Sequence, residues 1–290
     1  MDEPNDQILE LGLLGFPLEH SFSPRLHQAA LQYAGIPGNY KLFPIPPDEH
    51  CQDRLAEIID QMRSGDINGL NVTIPYKQTI IPFMDSLSPE ARVVGAVNTV
   101  YLSDSKLIGA NTDIIGFSRD LENFELDYKD HPAASLVLGA GGASRSVVYV
   151  LINAGWKVVV AARRRSQSEA LSADIKKHFP CARIVPAELS GKSIDPIIKE
   201  ISLVVNATPA GMFPLTGFSP WPEGMPFPQD AYVYDLVYNP GETRLLADAR
   251  SAGVYVRNGY GMLIEQAAAS FELWTGINCP ASVLWNCSPS

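Results

Sequence analysis

Apolar positions along the chain follow two alternating rhythms: short unbroken runs, and longer stretches with a spacing of three to four. The first run, Ile8–Leu14, is closed by Gly15 and Pro17 and predicts a buried strand. Ser23-Pro24 then opens a helix, with Ser23 at the N-cap, Pro24 at the first helical position, and Leu26, Ala29, Ala30 and Tyr33 on one face. Gly35 ends it. Tyr40–Phe43 predicts a second strand and Asp48–Met62 an amphipathic helix. Gly69–Ile74 predicts a third strand, followed by a helix from near Pro75. Strand and helix alternate, so the sheet should be largely parallel with helices on its faces. Ala96–Tyr101 and Lys106–Gly109 flank the polar turn Ser103-Asp104-Ser105 and read as a hairpin near the sheet's edge.

Thr112–Phe124 reads as a helix leading out of this first domain. Ser135–Leu138 begins a second series, whose later strands are Val158–Ala161, Leu203–Val205, Val233–Leu236 and Val254–Val256. Met262–Trp274 is an apolar, Ala-rich helix, long enough to return to the first domain. The expectation is an α/β protein with a discontinuous N-terminal α/β domain, residues 1–112 with 260–290, carrying substrate-binding and catalytic residues. A Rossmann-like, doubly wound dinucleotide-binding domain, residues 113–259, would be inserted in it. A length of 290 residues suits two cores of ordinary size.

Charge narrows the partners. A formal net charge of −10 argues against a nucleic-acid or anionic-membrane partner, since either would need a basic face. An anionic ligand must therefore be held by local donors. The four cysteines, Cys51, Cys181, Cys279 and Cys287, form no CxxC pair and read as reduced thiols. No stretch reaches the ~18 apolar residues of a membrane span, and the acidic start MDEPND does not read as a signal peptide. The expectation is a cytoplasmic monomer or homodimer acting on a small molecule. His20 and His27 lack a third suitably spaced ligand, so they read as structural and no metal is expected.

Ser135–Leu138 runs into Gly139-Ala140-Gly141-Gly142-Ala143-Ser144-Arg145 and then an apolar helix ending at Ala154-Gly155. This strand, glycine turn and helix order suits a pyrophosphate, because glycines let the backbone approach and free N–H groups face the anion. Ser144 replaces the third glycine of the usual fingerprint, but Val158-Val159-Val160 lies at the spacing of a βαβ unit. An acid at the end of that next strand would grip the 2′-hydroxyl of NAD. This chain has Ala162-Arg163-Arg164-Arg165 instead, and guanidinium groups suit a 2′-phosphate, so NADP is the expected cofactor.

Three segments of the first domain hold more polar residues than a core requires. Gly15–Pro24 places Ser21 and Ser23 at a strand-to-helix turn, where two hydroxyls could meet one carboxylate. Equally, the two serines could simply be a turn residue and a cap. Asn68–Lys77 puts amides, the hydroxyl of Thr73 and Lys77 where a strand gives way. Gly95-Ala96-Val97-Asn98-Thr99 and Asn111-Thr112-Asp113 flank the hairpin.

These segments resemble the signatures GxPxxHSxSPxxH, NGxNVTxPxK, GAVNT and NTD of the shikimate dehydrogenase family. The second domain adds GAGGASR, Asn206–Met212, and Asp235-Leu236-Val237-Tyr238-Asn239-Pro240 with Thr243. Gly259–Leu263 and Gln266-Ala267 follow, so the resemblance covers about residues 8 to 285 in family order. It implies reversible NADPH-dependent reduction of 3-dehydroshikimate to shikimate, a step of aromatic amino-acid (chorismate) biosynthesis. It further implies that Ser21 and Ser23 bind the substrate carboxylate, and that Thr73, Lys77, Asn98, Asp113 and Gln266 surround the ring hydroxyls. Tyr238 would close over them, and Lys77 with Asp113 would be the catalytic pair. Cofactor contacts would come from Gly139, Ala140, Gly141, Gly142, Ala143, Ala162, Arg163, Arg164, Thr208, Leu236 and Gly259.

The chemistry agrees with that pair. Hydride addition to a ketone leaves an alkoxide that needs a proton donor within hydrogen-bond reach, and a lysine beside a carboxylate can supply it. Asp113 could instead cap its helix. Gly259 and Gly261 read as hinge positions. Where the family often has Asn-Arg-Thr, this chain has Ala162-Arg163-Arg164, which removes an amide and adds a cation. Two alternatives stand beside this reading. One is a quinate or dual quinate/shikimate dehydrogenase on the same scaffold. The other is a non-catalytic NADP-binding regulator, for which an intact Lys77 and Asp113 pair would have no purpose.

Overall fold

The computed structural model describes residues 8–124 and 134–287. The chain forms two compact units, residues 1–116 with 264–290, and residues 117–263. Both boundaries fall inside helices, a few residues C-terminal of the positions expected from sequence. Asp113 and the first turn of its helix therefore group with the first unit.

In the first unit, β1 (Leu9–Gly15), α1 (Ser23–Ala34), β2 (Gly38–Pro44), α2 (Cys51–Ser64) and β3 (Gly69–Val72) alternate as expected. β4 (Ser86–Leu87), α3 (Pro89–Val94) and the strands β5 (Thr99–Ser103) and β6 (Lys106–Ala110) follow, and α4 (Asp113–Glu122) leads out. The sheet order is β2-β1-β3-β5-β6-β4. β2, β1 and β3 are parallel, whereas β5 runs antiparallel to β3 and pairs with β6 as the expected hairpin. The sheet is thus mixed. Its core holds Leu14, Leu55, Ile59, Met62, Leu70, Val72 and Ile80.

Three local expectations change. Ser23 is not the N-cap of α1; Phe22 is, and the Ser23 N–H is instead received by Ser21 Oγ at 3.3 Å. The buried stripe of α1 holds Leu26, His27, Ala30 and Leu31, while Tyr33 in the last turn is 52% exposed. No helix starts at Pro75. The Ile80 N–H reaches the Tyr76 carbonyl, but the Lys77 carbonyl is taken by the Val97 N–H at 2.7 Å. That carbonyl would have to accept the next helical bond, so the turn does not propagate.

The second unit holds β7 (Ala134–Leu138), α5 (Gly142–Asn153), β8 (Lys157–Ala162), α6 (Arg165–His178), β9 (Ile184–Glu188) and α7 (Gly191–Ile194). Then come β10 (Ile201–Asn206), β11 (Tyr232–Asp235), α8 (Arg244–Ser251), β12 (Tyr255–Asn258) and α9 (Tyr260–Thr275), whose later turns lie in the first unit. α10 (Ala281–Trp285) ends the first unit. All strands of the second sheet are parallel, in the order β12-β11-β10-β7-β8-β9. This is the doubly wound arrangement, and it reverses direction between β7 and β10, where the carboxyl ends of strands open a crevice. The sheet is buried on both faces, with Leu136, Val159, Val204 and Val233 on one and Val137, Val160, Val205 and Tyr234 on the other, as a parallel sheet requires. Among the described residues, no helix is long and apolar enough to cross a membrane.

Two buried features show how tightly the first unit is built. His27 stacks on Tyr40, with centroids 4.4 Å apart, and tilts against Trp274. Trp274 lies across Gly69, where an added Cβ would come within 2.6 Å of the indole, and its Nε1 donates to the Val100 carbonyl at 3.0 Å. Neither strand backbone nor ring can yield, so Gly69→Ala is expected to destabilise the fold by about 1–3 kcal/mol. Denaturant unfolding of the variant checks this, and an unchanged midpoint would show that the indole can move aside.

Candidate active site and cofactor cradle

In the first unit, the turns that follow β1 and β3 carry the polar segments, and two backbone bonds tie them together. Thr73 N–H donates to the Leu14 carbonyl at 2.8 Å, and Phe16 N–H to the Ile74 carbonyl at 2.9 Å. Gly15 is required there, because a Cβ would meet Thr73 Cγ2 at 2.3 Å. Ser21, Ser23 and Thr73 thus stand on adjoining loops at the carboxyl ends of parallel strands. Ser23 is buried, and Ser21 and Thr73 are half-buried.

Four of the expected residues are hydrogen-bonded to one another. Lys77 Nζ donates to Asp113 Oδ2 at 2.5 Å, and Asn98 Nδ2 donates to Asp113 Oδ1 at 2.9 Å. Asn98 Nδ2 also lies 3.4 Å from Gln266 Oε1. Lys77 is held by its own carbonyl, bonded to Val97, and by the turn in which Tyr76 is buried with its hydroxyl on the Ile45 carbonyl. The cap role considered for Asp113 falls to Asn111, whose Oδ1 accepts from Ile114 N–H at 3.3 Å. The Asp113 carboxylate is then free to face Lys77. The Lys77 side chain keeps 15% of its surface open, against 6% for Asp113. The ammonium can therefore be reached by a ligand while the carboxylate behind it is sealed. Such a pair can hand a proton to an oxygen that docks on Lys77.

His27 belongs to the core of this unit. Burial pushes its pKa down to about 3, against a smaller upward pull from Asn71. It is a neutral packing residue, and His20 is exposed on the preceding turn.

In the second unit, the glycine turn joins β7 to α5. Gly139 has φ +107, and a Cβ on it would crowd the Ala207 carbonyl, Ser144 Oγ and Thr208 Cγ2 at 3.0–3.1 Å. Ser144 is buried against this glycine, so a serine suffices at the third fingerprint position. Gly141 is the N-cap of α5, Gly142 its first residue, and nothing lies within 4 Å of where a Gly141 Cβ would stand. Ala140 precedes the cap and Ala143 follows in the first turn. An anion approaching here meets unpaired N–H groups and the positive end of the helix dipole. Ala162 ends β8 and is buried, while Arg163 and Arg164 beyond it are exposed. Arg165 is committed to Glu169 at 2.9 Å. Two guanidinium groups therefore stand at the position where an acid would exclude a 2′-phosphate, and the cradle fits NADP.

Sequence reasoning did not identify the hub that arranges the neighbouring loops. Asp235, fully buried at the end of β11, accepts from Asn206 Nδ2 at 2.8 Å, Val237 N–H at 3.0 Å and Thr243 Oγ1 at 2.6 Å. Asn206 Oδ1 in turn accepts from Thr208 N–H and Oγ1, and Thr243 caps α8. The hub thereby sets Thr208, Leu236 and the segment carrying Tyr238. Leu236 and Gly259 are in direct contact, since a Cβ on Gly259 would fall 2.1 Å from the Leu236 carbonyl oxygen. Gly261 is equally close to Asp120. Both glycines have a packing reason that the sequence did not reveal. A buried aspartate next to an asparagine-threonine pair was the available signal, visible in the residues 206–208 and 235–243.

Comparison with known proteins agrees with this geometry. The profile described as "Shikimate dehydrogenase substrate binding domain" matches residues 13–100, and "Shikimate 5'-dehydrogenase C-terminal domain" matches residues 259–286. The chain is 39% identical over 277 residues to the shikimate dehydrogenase (NADP(+)) of Salinibacter ruber, covering 94% of each protein. A solved structure of shikimate 5-dehydrogenase from Thermus thermophilus, in complex with NADP(H) and shikimate, is 34% identical. It superposes with a TM-score of 0.81, covering 97% of this chain and 98% of that one. Quinate dehydrogenase from Corynebacterium glutamicum, in complex with NAD, is 31% identical with a TM-score of 0.84, covering 97% and 98%.

The Asp235 hub makes a pH-dependent prediction. Burial raises the Asp235 pKa from 3.8 to about 6, against the lowering effect of its three donors, Thr243 first. The folded state therefore binds more protons than the unfolded state between about pH 4 and 6, and stability falls as pH rises through that window. Relative to Asp235→Asn, the wild type should gain about 2–3 kcal/mol between pH 7 and pH 4. Unfolding free energies of both proteins across that range measure it, and a pH-independent difference would remove the burial effect.

Proposed function

The chain belongs to the shikimate dehydrogenase family, and from that premise we propose that it catalyses the reversible NADP-dependent interconversion of 3-dehydroshikimate and shikimate. The observation that carries the reading is the Lys77–Asp113 pair, a half-buried ammonium fixed on a sealed carboxylate. When bound, NADPH would supply the hydride in reduction and NADP+ would accept it in oxidation. In the reductive direction, Lys77 Nζ gives its proton to the oxygen of the reacting carbonyl. In the oxidative direction, neutral Lys77 takes the proton of the hydroxyl. Asp113 holds the lysine in place through the contact of its Oδ2 with Nζ.

In this reading Ser21 and Ser23 hold the substrate carboxylate, while Thr73, Asn98 and Gln266 face its hydroxyls. Gly139–Ala143 receive the pyrophosphate, Arg163 and Arg164 the 2′-phosphate, and Thr208, Leu236 and Gly259 the rest of the cofactor. A cytoplasmic enzyme of aromatic amino-acid biosynthesis is part of the same proposal. The quinate dehydrogenase among the structural relatives makes the second substrate a necessary control. Steady-state assays of shikimate and quinate, each with NADP and NAD, decide between them. The expected result is highest kcat/KM for shikimate with NADP. A preference for quinate, or no turnover of either, overturns the reading.

Two further outcomes are expected. Lys77→Ala should lower kcat by at least about 100-fold and leave KM for shikimate within a few-fold, since proton transfer is needed chiefly in the transition state. Asp113→Asn should lose activity in the same way, and a rise in KM alone would restrict Asp113 to binding. Arg163→Ala should weaken NADP about 10- to 100-fold while sparing NAD, as expected for one charge-assisted contact. Equal weakening of both cofactors would assign Arg163 to the adenine and leave the phosphate to Arg164.

A further inference from the structure

Behind the Lys77–Asp113 pair lies a buried cluster of hydroxyls and amides whose protons can be assigned. Thr99, Thr112 and Ser270 are sealed from solvent, and they come from β5, the β6–α4 junction and α9. Ser270 Oγ lies 2.9 Å from the Gln266 carbonyl, 2.9 Å from both Thr99 Oγ1 and Thr112 Oγ1, and 3.0 Å from Asn71 Nδ2. A carbonyl only accepts, so the single Ser270 proton goes to Gln266, and Ser270 becomes an acceptor. Asn71 cannot turn, because its Nδ2 lies 3.2 Å from the Asn98 carbonyl, which only accepts; its Oδ1 receives the Tyr40 hydroxyl at 2.8 Å.

The same logic fixes Asn98. The backbone N–H of Thr112 can only donate, and it meets Asn98 Oδ1 at 2.7 Å. The Thr99 hydroxyl also donates to Asn98 Oδ1, at 3.0 Å. Asn98 Nδ2 must then face the other way, toward Thr112 Oγ1 and Asp113 Oδ1, both at 2.9 Å. Thr112 Oγ1 accepts from that amide and passes its own proton to Ser270. The second Asn71 proton is shared between Thr99 Oγ1 and the Asn98 carbonyl, both at 3.2 Å. Each hydroxyl proton then has an acceptor in the cluster, and Thr99 Oγ1 has two further oxygens in reach, Ser270 Oγ at 2.9 Å and Thr112 Oγ1 at 3.1 Å. A flipped Asn98 would set its oxygen against the Asp113 carboxylate and its amide against the Thr112 N–H.

We propose that Thr99, Thr112 and Ser270 are positioning residues of the reaction: their hydroxyl circuit locks the Asn98 amide toward Asp113 Oδ1, so that Asp113 presents Oδ2 to Lys77 in one orientation. The proposal rests on Lys77 and Asp113 being the proton-transfer pair. None of the three hydroxyls is expected to touch substrate or cofactor. Their effect passes through Asn98, as that of outer residues commonly passes through the groups they orient.

Thr112→Val keeps the shape and removes the hydroxyl, and Thr112→Ser keeps the hydroxyl. Two readouts on the full-length protein separate the outcomes. In the first, exchange of the ¹⁵N-labelled Asn98 side-chain amide is followed without any ligand. It should be slow in the wild type and in Thr112→Ser, and at least about tenfold faster in Thr112→Val. In the second, kcat with shikimate and NADP should fall about tenfold in Thr112→Val, with KM for NADP unchanged, and recover in Thr112→Ser. If Thr112→Val does not fold, Ser270→Ala, which frees the Thr112 proton, should give the same pattern at smaller amplitude. Equal exchange in all variants, or a kcat loss that Thr112→Ser does not repair, overturns the positioning role. Wild-type protein that shows the expected exchange pattern but no turnover of shikimate supports the circuit and overturns the reading of the reaction instead.

Discussion

A carboxylate removed from water must find donors for its lone pairs, and around Asp113 that requirement organises the first unit. Asp113 is 4% exposed, and an unpaired charge at such depth would cost several kcal/mol. Lys77 and Asn98 supply one donor to each oxygen. To bring them there, β3 must end in a turn whose Lys77 carbonyl is given to Val97. The β5–β6 hairpin must return the chain so that Asn98 and Thr112 face each other. The interrupted helix after Pro75 follows from the same need, since a continuous helix would withdraw the Lys77 carbonyl from Val97.

The second unit meets the same constraint twice, with different answers. Asp120 takes the Arg257 guanidinium and the Tyr234 hydroxyl, a pairing that closes so tightly on α9 that residue 261 has no room for a side chain. Burial and the nearby Asp120 charge push the Tyr234 pKa well above its ordinary value, which keeps that hydroxyl a donor. Asp235 receives three neutral donors and no cation among them, and burial outweighs them. Dipoles without a cation leave Asp235 responsive to pH. Asp235 sits among the loops that carry Thr208 and Leu236, so its titration acts on that end of the second sheet.

Strand order and alternation were legible because they rest on one-dimensional signals: apolar runs, glycine stops and Pro at a helix start. The glycine turn and the arginines after Ala162 were legible because their chemistry is contiguous in the chain. Ser270 was not, because a serine in an apolar helix carries no mark of its partners, which lie 158 to 199 residues away in sequence. Tyr33 was misjudged because helical spacing reports a stripe but not where the sheet beneath it ends. The contacts that leave no room for a side chain at Gly259 and Gly261 were not legible, because their partners Leu236 and Asp120 lie far off in the sequence.

Gly139 and Gly141 differ within one motif. At Gly139 the left-handed φ and the crowding by Ala207, Ser144 and Thr208 explain the residue without reference to any ligand. At Gly141 neither reason applies: φ is −84, a value open to every residue, and a Cβ there would project into open space. As an N-cap, Ser, Asp or Asn would serve α5 better by accepting its orphan N–H groups. The folded chain alone therefore gives no account of this glycine. An anion that occupies the open space and takes those same N–H groups does, because a capping oxygen would compete with it and an Asp would repel it. Glycine, itself a tolerated N-cap, leaves that space open, so the start of α5 can receive an anion there.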